Sequence, residues 1–139
     1  LGIIDESSSL AYIPDVQGPL SRDAVEFALS LKAEILMVGG FPAYLLDKSF
    51  KQEDLNEANN NLTTIWNTAK PRKLVITHHL LRIINWRDYV PSMIKAHTYA
   101  SLLGLSDKLL EARRRELYEI EDPGRGYVNK FKRRGNEEE

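Results

Sequence analysis

Cysteine is absent from the 139 residues. That excludes a disulfide scaffold, a thiolate zinc site and a cysteine nucleophile. Neither sign of charge is in excess: 19 Lys and Arg stand against 20 Asp and Glu, for a net charge of -1. No global basic field is therefore available to hold nucleic acid or an anionic membrane. Histidine is scarce, at three residues (His78, His79 and His97), which limits the metal chemistry the chain can do alone. No apolar run approaches the roughly 18 residues of a membrane span. The apolar start Leu1 to Ile4 is followed at once by Asp5 and Glu6, with no cationic stretch before it, so it does not read as a signal peptide. Neither a GxGxxG nor a Walker sequence occurs, which leaves no motif for cradling phosphates. These absences predict a soluble, cytoplasmic protein.

What is present is ordinary for a globular chain, with 42% hydrophobic and 28% charged residues, and this argues against wholesale disorder. The length suits one domain or a piece of one. The chain has no initiator Met and opens on what reads as the middle of a strand, so a fragment is expected. Two regions are expected, a folded part over 1–120 and a charged tail over 121–139. The tail reads DPGRGYVNKFKRRGNEEE from residue 122, a solvated composition.

Short apolar segments at 3–4 and 10–13 flank the turn-forming residues 5–9 and predict a β-hairpin. Pro14 has no N–H for a ladder and ends the second strand. Ser21 is a candidate N-cap for a helix to about Lys32. A buried strand is expected over 34–38, ended by Gly39 and Gly40. The spacing of Leu55, Ala58, Leu62, Ile65, Trp66 and Ala69 predicts a helix over 53–69 with one apolar face. Another strand is expected over 73–77, with His78 and His79 just beyond it. Pro91 suits the first turn of a further helix, and 111–119 reads as helical. Strands alternating with helices imply an α/β layer arrangement with parallel pairing.

In such sheets functional residues gather beyond the carboxyl ends of the strands. Asp15, Gly39-Gly40 and His78-His79 all fall there. A carboxylate at a strand end, with a tight turn behind it, suits a divalent cation. It is equally an ordinary turn residue beside Pro14 and Gly18. A neutral imidazole at a strand end is a good zinc ligand. Adjacent residues of a strand point to opposite faces, however, so one of the two histidines is expected at a shared site. His97 reads as a core or surface histidine. Arg113, Arg114 and Arg115 spread around a helix and default to a solvated face. One Asp and one or two His form at most a partial metal site, because a hydrolytic zinc site takes three protein ligands and an open position.

Four segments in order carry a resemblance: SLAYIPDVQGPLS at 9–21, GGFPAYLL at 39–46, LVITHHLLR at 74–82 and LLEARRRELYE at 109–119. Together, over roughly residues 3 to 120, they resemble the second half of the metallo-β-lactamase superfamily. The likeness is greatest to an uncharacterised archaeal branch of metal-dependent hydrolases. The resemblance implies an αββα sandwich, of which this chain is half. It also implies a dinuclear, zinc-type site, about two ions in the complete protein. Asp15 would bridge the metals and His78 would be the strand-end ligand, with His79 as the alternative. Such metals lower the pKa of a water for attack and polarise the electrophile. Thr77, Tyr44 and Arg82 are candidates for orienting the ligands. The superfamily's His-x-His-x-Asp-His signature is absent here, as is a further His ligand upstream of Asp15. The run at 91–104 is also shorter than the corresponding helix and strand.

The leading expectation is therefore a metal-dependent hydrolase whose remaining ligands lie elsewhere, so that this chain alone is inactive. A non-catalytic structural or interaction module of the same fold is the alternative, and a nuclease is a third reading. The substrate, whether a small molecule or a phosphoester, is not legible. The expected partner is the missing N-terminal half, or a second copy, covering an apolar sheet face too large to leave bare. Neither a membrane nor nucleic acid is an expected partner.

Overall fold

In the computed structural model, residues 2–4 and 8–121 are described; the charged tail from residue 122 lies outside them. One five-stranded sheet organises the chain, in the sequential order β1-β2-β3-β4-β5. Strand β1 (Gly2–Ile4) runs antiparallel to β2 (Ser9–Ile13). The others, β3 (Ile35–Gly39), β4 (Lys73–Thr77) and β5 (Ala96–His97), continue in parallel. Helix α1 (Arg22–Leu31) crosses from β2 to β3, and α2 (Gln52–Ala69) from β3 to β4. Sequential parallel neighbours with crossovers of one hand put both helices on one face.

Register shows which residues share each face. Ala11, Leu36, Leu74 and Ala96 lie in one cross-strand row, and Ile13, Val38 and Ile76 in another. All seven are buried in one core with Val25 and Ala28 of α1 and Leu55, Ala58, Leu62 and Ile65 of α2. The α2 residues are spaced three and four apart, so they form a single stripe. The opposite face carries the row Tyr12, Met37, Val75 and His97 beside Leu10, Ile35 and Lys73. Val75 is buried there, but the other six are only half-buried. Among the described residues the sheet is thus covered by helices on one side and left partly open on an apolar side.

Ser21 caps α1 as expected, its hydroxyl accepting from the Ala24 N–H at 3.2 Å. Two expectations are corrected. No helix starts at Pro91: the chain instead makes the short edge strand β5 and the single turn α3 (Tyr99–Leu102). Thr98 sets that turn, its hydroxyl accepting from the Ser101 N–H. The last helix, α4 (Arg114–Ile120), begins later than residue 111. Among the described residues no helix is long and apolar enough to cross a membrane.

His97 on the edge strand has a pKa held below its ordinary value. Burial is the main cause, followed by the charges of Lys73, Lys95 and Arg87. The unfolded chain therefore takes up this proton before the native chain does. The stability contributed by neutral His97 is complete above the unfolded value of about 6.5 and is lost as pH falls below it. His97→Gln is expected to flatten the stability profile between about pH 6.5 and 5. Urea midpoints of both proteins across that window test this, and parallel profiles would rule it out.

Candidate metal centre

Asp15 leaves the end of β2 and the histidines leave the end of β4, with β3 between them. Two strand spacings separate their origins by roughly 10 Å. Their side chains nevertheless meet. His78 Nε2 lies 2.9 Å from Asp15 Oδ1, and His79 Nε2 lies 3.3 Å from the same oxygen. Strand β3 ends in Gly39, with Gly40 directly after it, and neither puts a side chain against the segments that lead into and out of the cluster. A Cβ on Gly39 would lie 2.9 Å from the Asp15 backbone nitrogen. A Cβ on Gly40 would lie 2.4 Å from Leu80 Cβ and 2.9 Å from Ile76 Cγ2. The two glycines form a bare saddle, with the Asp15 loop on one side and the turn after His79 on the other.

Backbone bonds tie both loops to that saddle. Gly18 N–H donates to Gly39 O at 3.0 Å, and Gly40 N–H donates to Thr77 O at 3.2 Å. Asn61 on α2 donates to Pro19 O at 3.0 Å, anchoring the Asp15 loop to the helix layer. Asp15 itself has a φ of 53°, and Gln17 and Gly18 are also positive, at 53° and 78°. Asp tolerates this left-handed region better than most residues, but at some cost in strain.

Both histidines face Asp15, which corrects the expectation of opposite faces. The alternation of a strand stops at Thr77. His79 is already right-handed helical, at φ -57° and ψ -49°, and the two rings lie 4.2 Å apart between centroids. Each ring has its own support. The buried Thr77 hydroxyl donates to Val38 O at 3.2 Å, which leaves its oxygen free to accept from His78 Nδ1 at 3.1 Å. That bond presents His78 Nε2 toward Asp15. On the other ring, Tyr44 OH lies 3.5 Å from His79 Nδ1, and Arg82 donates to that same hydroxyl at 2.7 Å. Thr77 and Tyr44 thus stand against the pair, and Arg82 stands against Tyr44.

The His78 hydrogen bond, opposed by burial and reinforced by His79, holds the Asp15 carboxyl below the usual carboxylate range. Burial, and then the charge of His78, push His79 below its ordinary value, although the bond to Asp15 opposes this. A carboxylate and a neutral imidazole are the forms a cation requires.

Two nitrogens and one oxygen are a zinc-type donor set. All three ligand atoms lie within 4.8 Å of one another. Donors around a tetrahedral zinc at about 2.0–2.1 Å stand roughly 3.3 Å apart, so small side-chain adjustments would suffice. The residues fit one ion with an open position; a two-ion centre needs further donors.

The buried Thr77 offers a test of this support. Thr77→Val keeps the shape and removes the bonds to His78 and Val38. A zinc titration is expected to show about a 10–100-fold loss of affinity. A denaturant melt is expected to show a cost of about 1–3 kcal/mol. Unchanged zinc affinity would mean that His78 does not depend on the hydroxyl.

His97 lies on β5, apart from the cluster. Arg113 and Arg114 engage Glu116 and Glu111 in exposed pairs, which favours the solvated-face reading of that run. The KFKRR segment lies outside the described residues. Asn61 went unnoticed in sequence, where it reads as one polar residue beside the apolar stripe of α2.

The fold and the cluster define a mixed α/β protein with a candidate metal centre beyond the carboxyl ends of its parallel strands. The chain is similar to a UPF0282 protein of Pyrobaculum calidifontis, 42% identical over 132 residues that make up 89% of this chain and 41% of that protein. It is 39% identical over 124 residues to the UPF0282 protein of Pyrobaculum islandicum, covering 84% of this chain and 38% of that one. A UPF0282 protein of Korarchaeum cryptofilum is 32% identical over 126 residues, 85% of this chain and 42% of its own. All three relatives are archaeal. The chain spans about two fifths of the length of these curated relatives. No protein-family model matches it, and no solved structure matches it.

Proposed function

We propose that the chain is the second half of a metal-dependent hydrolase of the metallo-β-lactamase superfamily, in which Asp15, His78 and His79 contribute to a zinc centre. The observation that carries the reading is the convergence of these three ligand atoms within 4.8 Å of one another, from strands that do not adjoin. A zinc ion bound there would act as a Lewis acid and lower the pKa of a water. The chain's own residues supply the charge (Asp15), two imidazole donors (His78 and His79) and the groups that orient them (Thr77 and Tyr44). Donors for a second ion come from outside this chain.

The open sheet face supports the αββα part of the proposal. Leu10, Tyr12, Ile35 and Met37 are half-buried there, a surface suited to a second sheet. The missing half is its proposed cover, with a second copy as the substitute. The relatives are long enough to contain that half. In this reading the complete protein works in the cytoplasm.

Metal analysis of the complete protein is expected to return about two zinc ions; a return of none would sink the enzyme reading. The 139-residue chain alone is expected to bind zinc weakly and to lack hydrolase turnover. Robust zinc-dependent turnover by this chain would refute the dependence on outside ligands.

A further inference from the structure

A groove of about 370 Å³ opens beside the cluster, between the turn after β4 and the segment that follows α3. His78 belongs to both: one edge of its ring meets Asp15, and the residue also lines the groove. Leu81, Tyr99 and Leu109 give the groove a mainly apolar lining, and Arg82 and Lys108 contribute two cations. The volume lies toward the small end of the range for small-molecule sites.

The charges in this groove are unevenly committed. Its two acids are already engaged, Asp107 accepting from the Thr98 hydroxyl and Glu111 pairing with Arg114. Arg82 uses one donor on Tyr44 OH. Among the described residues, no carboxylate lies within ion-pair distance of either Arg82 or Lys108. Two cations without a carboxylate partner, above an apolar floor, match a ligand with an anionic group at one end and an apolar body at the other. Arg supplies directed donors for such a group and Lys a mobile point charge.

We propose that this groove is the substrate-binding cleft and that it selects small anionic molecules with an apolar or aromatic body. The anionic group lies between Arg82 and Lys108, and the body rests on Leu81, Tyr99 and Leu109. The orientation toward His78 rests on the metal-centre reading, but binding in the groove does not require the metal. The two ideas can therefore fail separately.

The test is an NMR titration of the zinc-free 139-residue chain with phenyl phosphate, phenol and inorganic phosphate. Phenyl phosphate is expected to shift backbone amides at 81–82, 98–100 and 108–110. It should bind at least about tenfold more tightly than either phenol or phosphate, because only it engages both the cations and the apolar floor. Lys108→Gln is a substitution at an exposed residue that is not one of the cluster's three ligands. It is expected to weaken phenyl phosphate by about tenfold while leaving phenol unchanged. Shifts confined to other surfaces overturn the proposal, as does phenol binding as tightly as phenyl phosphate or Lys108→Gln leaving the affinity intact. Groove binding in the chain, together with a complete protein that takes up no zinc, supports the cleft and refutes the metal centre instead.

Discussion

Replacing Gly40 with Ala is expected to cost on the order of 3 kcal/mol, the upper part of the range for overpacking a filled site. In a domain of this size that is a fall in Tm of roughly 10 °C. The added Cβ would stand 2.4 Å from Leu80 Cβ, 2.9 Å from Ile76 Cγ2 and 3.1 Å from the Leu80 backbone nitrogen. None of these atoms is the free end of a flexible side chain. Leu80 and Ile76 are both in the core, so relief has to come from backbone movement. The residue that moves first is Leu80, which directly follows His79. Zinc affinity is therefore expected to fall along with stability. Gly104→Ala is the control: its φ is 73°, but nothing lies within 4 Å of the added atom, so only the local backbone cost of about 1 kcal/mol applies. Thermal melts of the two variants decide the matter, and a Gly40→Ala melt within about 2 °C of the parent would show that the saddle is not tight.

The second large effect concerns the ligands. Asp15→Ala, His78→Ala and His79→Ala are each expected to reduce zinc affinity by on the order of a hundredfold or more, beyond the typical loss from an orienting partner. All three donors meet at one point, and an ion with three protein ligands cannot easily spare one. Competition with a chromophoric chelator measures this. The pair of histidine variants is the sharper part of the test. If a single histidine were the ligand, one of the two substitutions would leave the affinity within about threefold of the parent, against the hundredfold expected of a true donor. Asp15 is exposed, but Ala loses the contact with His78 and tolerates a φ of 53° less well, so the melt of Asp15→Ala in excess chelator is expected to fall by only a few degrees and stay cooperative. That keeps a loss of binding from being mistaken for a loss of folding.

The parts of the fold legible in the sequence are those with long patterns. Helix α2 shows its stripe across five turns, and β4 is an apolar run next to a proline. The hairpin, α1 and β3 follow from turn and cap residues at 5–9, 21 and 39–40. Strand β5 is two residues long, too short for any alternation to register, and Pro91, five residues before it, suggests a helix start by its ring geometry alone. The histidine frame failed for a related reason. The chain turns helical after Thr77 with neither a glycine nor a proline to mark the change, so strand alternation does not extend to the pair.

The candidate ligands could be found from their positions at strand ends, but their meeting could not. The strand between them ends without side chains, but in sequence Gly39-Gly40 reads equally well as a plain turn. The orienting groups were legible only as neighbours in the chain. That Thr77 gives its proton to Val38 and its lone pair to His78 is a fact of packing between β3 and β4.

The reach from Asp15 to His78, across 63 positions of chain, also bears on the order of folding. The two side chains approach only after β3 is seated between their strands, so the cluster closes after the parallel core has formed. Contacts of such long sequence separation come at a high loop-closure cost and tend to form late. A cation held there would thus act on the finished protein and not on its nucleus. It would leave the refolding rate nearly untouched and lengthen the lifetime of the native state, since interactions absent from the transition state slow unfolding alone.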